Sequence, residues 1–208
     1  MRPFTTWLAV CLCGLLPFLA PRQVLAAAYA TPAVITSAGQ SSDVLLAKQM
    51  FAKAGVSARV SEKLTADSLK GVKSLVLVLG GSSKGLGQAK GGTDQELARV
   101  KALLQKAKAA KIPVMALHIG GESRRGPLSD PFISPVAGQC DQVVVLAGGN
   151  KDKLFTRLTQ TNRVPLHEAQ DYKALVARIG AAWGKEAPAA AKSPAAAKPP
   201  AKAPGAGK

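Results

Sequence analysis

Aromatic side chains are scarce in this chain, at 4% of 208 residues, and their scarcity argues against a stacking platform for bases or sugars. Cysteine is rarer still, with Cys11, Cys13 and Cys140 the whole supply. The first two fall in a leader-like segment, so Cys140 is alone in the remainder and no internal disulfide can form. Histidine occurs only as His118 and His167, far apart, which with one cysteine gives no zinc-ligand spacing. No metal is expected. Acidic residues are few as well: 12 Asp and Glu face 28 Lys and Arg, a formal net charge of +16. A balance this basic suits an anionic partner, whether a small carboxylate, a phosphate, an envelope polymer or a lipid head group.

What is present begins with an export pattern. Met1-Arg2-Pro3 is a short positive start, and Phe4 to Ala20 is an almost uncharged apolar run closed by Pro17 and Pro21. Small residues follow at Ala26, Ala27 and Ala28, with Val24 and Ala26 placed as an A-x-A-like pair. The run is short and its helix breakers are wrong for a membrane span, so 1–26 is expected to be a signal peptide, cleaved among Ala26 to Ala30. The mature chain is then expected in the periplasm or another extracytoplasmic space. Nucleic acid is not expected as a partner there, and neither ATP nor NAD as a cofactor. Residues 185–208 are Pro, Ala, Lys and Gly with no large apolar side chain, which predicts a disordered basic tail. Such a tail suits a spacer or an electrostatic contact with anionic envelope material. Residues 27–184 remain as a single domain with 21 Lys and Arg against 11 Asp and Glu.

Within that domain, apolar β-rich runs alternate with amphipathic segments. Strands are predicted at 33–36, 58–60, 74–79, 112–117, 142–147 and, as a poor edge strand, 164–167. Ser74 to Leu79 is continuously apolar after its first residue, the mark of a strand buried on both faces. Helices are predicted over 42–54, 93–111, 151–161 and from Asp171 through Trp183, with a shorter one from Pro131 that Pro135 shortens or kinks. Thr93 and Glu96 have capping-box spacing at the head of the longest helix. Alternating strands and helices predict right-handed crossovers and a mainly parallel sheet of five or six strands, a flavodoxin-like or Rossmann-like three-layer α/β domain.

In such a sheet, ligands bind beyond the carboxyl ends of the strands, near the point where strand order reverses. The chemically loaded sequence falls at those ends. Ser37-Ala38-Gly39-Gln40-Ser41-Ser42-Asp43 follows the first strand, and Gly80-Gly81-Ser82-Ser83-Lys84-Gly85-Leu86-Gly87 the third. His118-Ile119-Gly120-Gly121-Glu122-Ser123-Arg124-Arg125 follows the fourth, and Gly148-Gly149-Asn150-Lys151-Asp152 the fifth. Glycines let backbone amides turn toward a guest, Ser and Gln add hydrogen bonds, and Lys84, Arg124 and Arg125 can neutralise an anion. Known nucleotide signatures do not fit. Gly80 and Gly85 have Walker spacing, but Leu86-Gly87 stands where Lys-Ser/Thr is required, and Lys90 replaces the third glycine of a dinucleotide turn.

The segments Ile35 to Asp43, Gly80 to Gly87 and His118 to Gly126, in that order, resemble a bacterial family of exported α/β domains of unknown function. Leu128-Ser129-Asp130 and Gly149-Asn150-Lys151-Asp152 fit its pattern, and Ser134-Pro135 departs from it. The resemblance spans about residues 32–180 and implies fold and compartment; it implies no activity.

The leading expectation is a binding module for a small anionic or polar ligand, serving a membrane transporter or a sensor. Its site is expected from Ser37, Gly39, Gln40, Ser41, Gly80, Gly81, Ser82, Ser83, Lys84, Gly85, His118, Gly120, Gly121, Glu122, Arg124 and Arg125, with a bidentate arginine on a carboxylate as the geometry to look for. Two alternatives stand beside it. One is a hydrolase or transferase using Ser37 or another loop serine with His118 as base, although no G-x-S-x-G elbow is present. The other is an envelope interaction protein acting through its basic surface and tail.

Overall fold

Four apolar runs and two short, more polar edge strands form one sheet in the structure, a computed structural model that describes residues 29–88 and 92–185. The expected leader 1–26, and the expected tail beyond Lys185, lie outside the described residues. The strands are β1 (Ala33–Ala38), β2 (Ala58–Val60), β3 (Ser74–Leu79), β4 (Val114–His118), β5 (Gln142–Leu146) and β6 (Leu166–Ala169). Their order is β2-β1-β3-β4-β5-β6, with every neighbouring pair parallel. Parallel neighbours require crossovers: α1 (Asp43–Lys53) joins β1 to β2, a 3-10 turn at Ala66–Leu69 lies between β2 and β3, and α2 (Ser83–Gln88) and α3 (Gly92–Ala109) join β3 to β4. Then α4 (Asp130–Ala137) joins β4 to β5 and α5 (Leu154–Asn162) joins β5 to β6, while α6 (Tyr172–Ala182) follows the last strand.

The strand period of two sorts the core into two layers. On one face Leu75, Leu77 and Leu79 of β3 pack with Val100, Leu103 and Leu104 of α3, Ile133 of α4 and Phe155 of α5. On the other, Val76 and Val78 pack with Val44, Ala47 and Phe51 of α1 and Leu175 and Ile179 of α6. Each such side chain, removed wholly from water, contributes about 1.5–3 kcal/mol before entropy is counted. The three-layer α/β architecture follows directly, because both faces of an all-parallel sheet must be covered.

Several elements differ in detail from their sequence signals. The glycine-rich stretch after β3 is not all loop: residues 83–88 form α2, whose buried Leu86 anchors a turn that Gly85 and Gly87 alone would disfavour. Pro135 does not end α4, which runs on to Ala137. The edge strand β6 begins at Leu166, two residues later than its signal. Asn150 does not open a helix at 151, yet its Oδ1 accepts from the amides of Phe155 (3.0 Å) and Thr156 (3.4 Å), so it caps α5 from a distance. Asp171 caps α6 as its position suggests, accepting from the Ala174 amide at 2.7 Å. Cys140 is buried beneath β5, and burial pushes its thiol well above the usual range.

Candidate functional site

Because all six strands point the same way, the loops after β1, β3, β4 and β5 meet at one rim of the sheet. Strand order reverses between β1 and β3, and there the first two loops are stitched together. The chain leaves β1 through Gly39 and Gln40, with φ of +112° and +58°. A β-carbon on Gly39 would lie 2.4 Å from the Gly80 carbonyl oxygen, so only glycine allows the approach. The Gly80 amide donates to Ala38 O (3.1 Å) and the Ser82 amide to Gly39 O (2.9 Å). Gly85 packs against Gln40, where a β-carbon would lie 2.1 Å from the Gln40 carbonyl oxygen.

The serines here serve first as turn-makers. Ser37 Oγ accepts from the Ser41 amide at 2.9 Å, Ser41 Oγ from the Asp43 amide at 3.1 Å, and Ser82 Oγ from the Gly85 amide at 3.1 Å. The Gly81 amide is also taken, donating to Ser129 Oγ at 2.9 Å. These short side-chain-to-backbone bonds hold the loops open as turns rather than letting them continue as strand or helix.

Beneath the crevice lies a pair whose role sequence spacing did not reveal. Glu96 does not close a capping box with Thr93. It is only 4% exposed, accepts from the Gly39 amide (3.0 Å) and from Gln40 Nε2 (2.7 Å), and forms a two-point ion pair with Arg99 at 2.8 and 2.7 Å. Arg99 in turn donates to the carbonyls of Ser37 (2.5 Å) and Leu64 (2.8 Å). One arginine of α3 therefore ties β1 to the segment after β2. Only a faint signal marked it: an acid and a base three residues apart, the base on an otherwise inward-facing helix side.

Above this pair is a polar groove of about 510 Å³, lined by Ser37, Gln40, Ser41 and Ser42 from the β1 loop, Glu62 and Lys63 after β2, and Ser82, Lys84, Gly85 and Gln88 from the α2 segment. Lys63 and Lys84 are both exposed. Of the expected site residues, Ser37, Gln40, Ser41, Ser82, Lys84 and Gly85 line this groove. Gly39, Gly80 and Gly81 shape its floor and seam through the contacts above, and Ser83 is exposed at the start of α2.

The loops after β4 and β5 form a second knot, bonded within itself through Arg125 and to the first two loops through Arg124 and Ser129. Arg125 is not free for an anion. It pairs with Asp130 (2.9 Å) and with both oxygens of Asp152 (2.9 Å each), donates to the Gly149 carbonyl and lies 5.5 Å over the Phe155 ring. The Asp152 carboxyl is held down near 2 by that guanidinium. Arg124 is also engaged: its Nε lies 3.2 Å from Asp43 Oδ2 and its NH1 is 3.4 Å from the Gly81 carbonyl. Its side chain crosses Gly120 so closely that a β-carbon there would meet Arg124 Cγ at 1.9 Å. Glu122 pairs with Lys151, both exposed.

His118 is fully buried, with Nδ1 3.0 Å from the Leu79 carbonyl and Nε2 3.0 Å from the Gly121 carbonyl. Burial pushes its imidazole below the usual histidine range. Both ring nitrogens therefore face backbone oxygens, and Ser37 Oγ accepts from the Ser41 amide, so Ser37 and His118 are not hydrogen-bonded to each other. Gly121 bends at φ +57° to bring its carbonyl under the ring. Among the described residues, no cluster of three or more His, Cys, Asp or Glu is placed to hold a metal ion.

Comparison with known proteins adds one finding. Residues 30–183 match a family described as a domain of unknown function (DUF6305), and the chain belongs to it. No curated protein matches the chain.

Proposed function

We propose that this member of the family is an extracytoplasmic binding module that takes a small anionic or polar ligand in the groove between β1 and β3. The lining of that groove carries the reading. Hydroxyls and amides from Gln40, Ser41, Ser42, Ser82 and Gln88 share it with two exposed ammonium groups, Lys63 and Lys84, against the single carboxylate of Glu62. A wall with so little apolar surface gains nothing from a greasy guest, whereas a ligand bearing several oxygens can replace the water bonds of every group present. Its place at the reversal of strand order and its volume of about 510 Å³ both suit a small-molecule site.

The charge on offer narrows the chemistry. Arg124 and Arg125, the expected forks for a carboxylate, are held by Asp43, Asp130 and Asp152. Lys63 and Lys84 act as point charges, which suit phosphate-like or multiply oxygenated groups without demanding planar geometry. The Glu96–Arg99 pair keeps the β1 loop in place before any ligand arrives, which lowers the ordering cost of binding. Export and a shallow polar groove together suit a role handing the ligand to a membrane transporter or a sensor.

The test is an NMR titration of the chain with inorganic phosphate, citrate and glucose 6-phosphate as probes. At least one probe is expected to shift the amides of Gln40, Ser42 and Lys84, and Lys84→Ala to weaken that binding about tenfold while leaving the melting temperature nearly unchanged. Shifts confined to the α3 surface, or equal binding by Lys84→Ala, would refute the assignment.

A further inference from the structure

Away from the polar groove, α1 and α6 leave a trough between them. Leu46 and Met50 form one wall and Tyr172 and Val176 the other, around about 400 Å³, with Leu46 and Tyr172 exposed and Met50 and Val176 buried as part of the core. Each pair is spaced four residues apart, so each wall is one apolar stripe of a helix. The sheet does not need all of this surface. Val44, Ala47, Met50 and Phe51 already bury α1, yet Leu45 and Leu46 stand 53% and 38% exposed and Tyr172 49%. Three of the four large apolar side chains exposed among the described residues thus belong to these two helices, the fourth being Leu128. Tyr172 is held in place as a wall, its hydroxyl reaching the Ile119 carbonyl at 3.4 Å.

We propose that this trough is a docking site for one amphipathic helix of a partner protein, with apolar residues along its seat and acidic residues on its flanks. Two parallel helical stripes with a gap between them match the apolar ridge of a third helix laid into the gap. The flanks are set by charge. Lys53 and Lys173 line the trough, two cations against the one carboxylate of Asp171 beside Tyr172, which caps α6 and keeps its charge. A second copy of this chain would bring its own Lys53 against this one. The chain's C-terminal segment has five lysines against Glu186 and no large apolar residue, so it fits neither the seat nor the flanks. A bilayer surface is flat and cannot reach the floor of a trough, whereas a helix can. This inference is independent of the ligand reading for the β1–β3 groove.

The test uses the full chain and two synthetic helical peptides of about 14 residues. Both carry leucines at helical spacing, one flanked by glutamates and the other by lysines, and vesicles of phosphatidylglycerol serve as a third probe. The glutamate-flanked peptide is expected to shift the NMR signals of Leu46, Met50, Tyr172 and Val176. Leu46→Glu should weaken it about tenfold or more, and Lys53→Glu should move the preference to the lysine-flanked peptide. If Leu46→Glu lowers the melting temperature, Leu46→Ser gives the same comparison. Absence of shifts at the trough, or equal binding of the two peptides, overturns the proposal. So does binding to vesicles, or self-association in sedimentation, that Leu46→Glu abolishes.

Discussion

Replacing Arg99 with methionine removes the base of the crevice while keeping its bulk, and the structure sets the size of the effect. The side chain bonds to both oxygens of Glu96 and to the carbonyls of Ser37 and Leu64. Glu96 is 4% exposed and the Arg99 side chain 15%, so solvent screens the pair only weakly. Removing one partner of a buried pair costs about 3–5 kcal/mol, against about 0.2–1 kcal/mol for an exposed pair. Glu96 would keep the Gly39 amide and Gln40 Nε2 as donors, which places Arg99→Met near the lower bound, about 3 kcal/mol. In a domain of this size that is a fall in melting temperature of roughly 6–12 °C. Urea unfolding followed by circular dichroism measures it, and amide exchange should show faster opening at residues 39–42. A double-mutant cycle with Glu96→Gln should give a coupling of about 2 kcal/mol. A loss below about 1 kcal/mol for Arg99→Met, with unchanged exchange at Gly39 and Gln40, would show that the pair does not hold the loop.

Glycine substitutions should separate shape from propensity. Gly39→Ala meets a positive φ and the Gly80 carbonyl together and should lose about 3 kcal/mol, whereas Gly87→Ala, in α2 with open space around it, should gain about 0.5–1 kcal/mol in thermal unfolding. His167, half-buried beside the Arg178 guanidinium, has its imidazole lowered to about 4 by partial desolvation and by that neighbouring charge. The unfolded chain therefore binds a proton near pH 6.5 that the folded chain refuses until about pH 4, so stability falls as pH drops through that window. His167→Gln should flatten this part of the profile, and an unchanged slope would refute the assignment. Asp152 is lowered too, and from the opposite cause: Arg125 favours its charged form, keeping it ionised down to about pH 2. The stability it contributes is present above the ordinary carboxylate range and is lost as pH falls toward 2. Asp152→Asn should reduce acid sensitivity in that interval, as read by the midpoint of acid unfolding.

What could be read from the sequence was what the chain decides locally. Val and Leu packed without interruption from Leu75 to Leu79 allow only a strand covered on both faces, and Asp171 before an apolar helical stripe is a cap wherever it occurs. The order of such elements sufficed for the α/β class and for gathering four loops at one rim. Contacts made across the fold were not legible. Nothing near Glu96 announces that its carboxylate will meet Gly39, 57 residues away, and a Thr-x-x-Glu spacing points to a local partner instead. Arg125 looked available although one of its partners, Asp130, is only five residues on, because the turn that brings Asp130 back carries no motif and Asp152, its second partner, is 27 residues away. Residues 83–88 looked like loop because two glycines lower helix propensity, and only the burial of Leu86 overrides them. The groove lining was half legible: Ser37, Gln40, Ser41, Ser82 and Lys84 came from the loops, whereas Glu62 and Lys63 sit behind a three-residue edge strand with no motif to mark them.

Trp183 packs against Tyr29 at 4.7 Å between ring centroids and edge-on against Phe51 at 5.1 Å. One ring thus joins the last turn of the domain to the residue that precedes its first strand and to its first helix. Synthesised from the amino terminus, the sheet can assemble strand by strand, but that seam stays open until the final helix arrives. The indole is the only tryptophan beyond Trp7, so its emission is a built-in clock for completion, dark to every earlier stage of assembly.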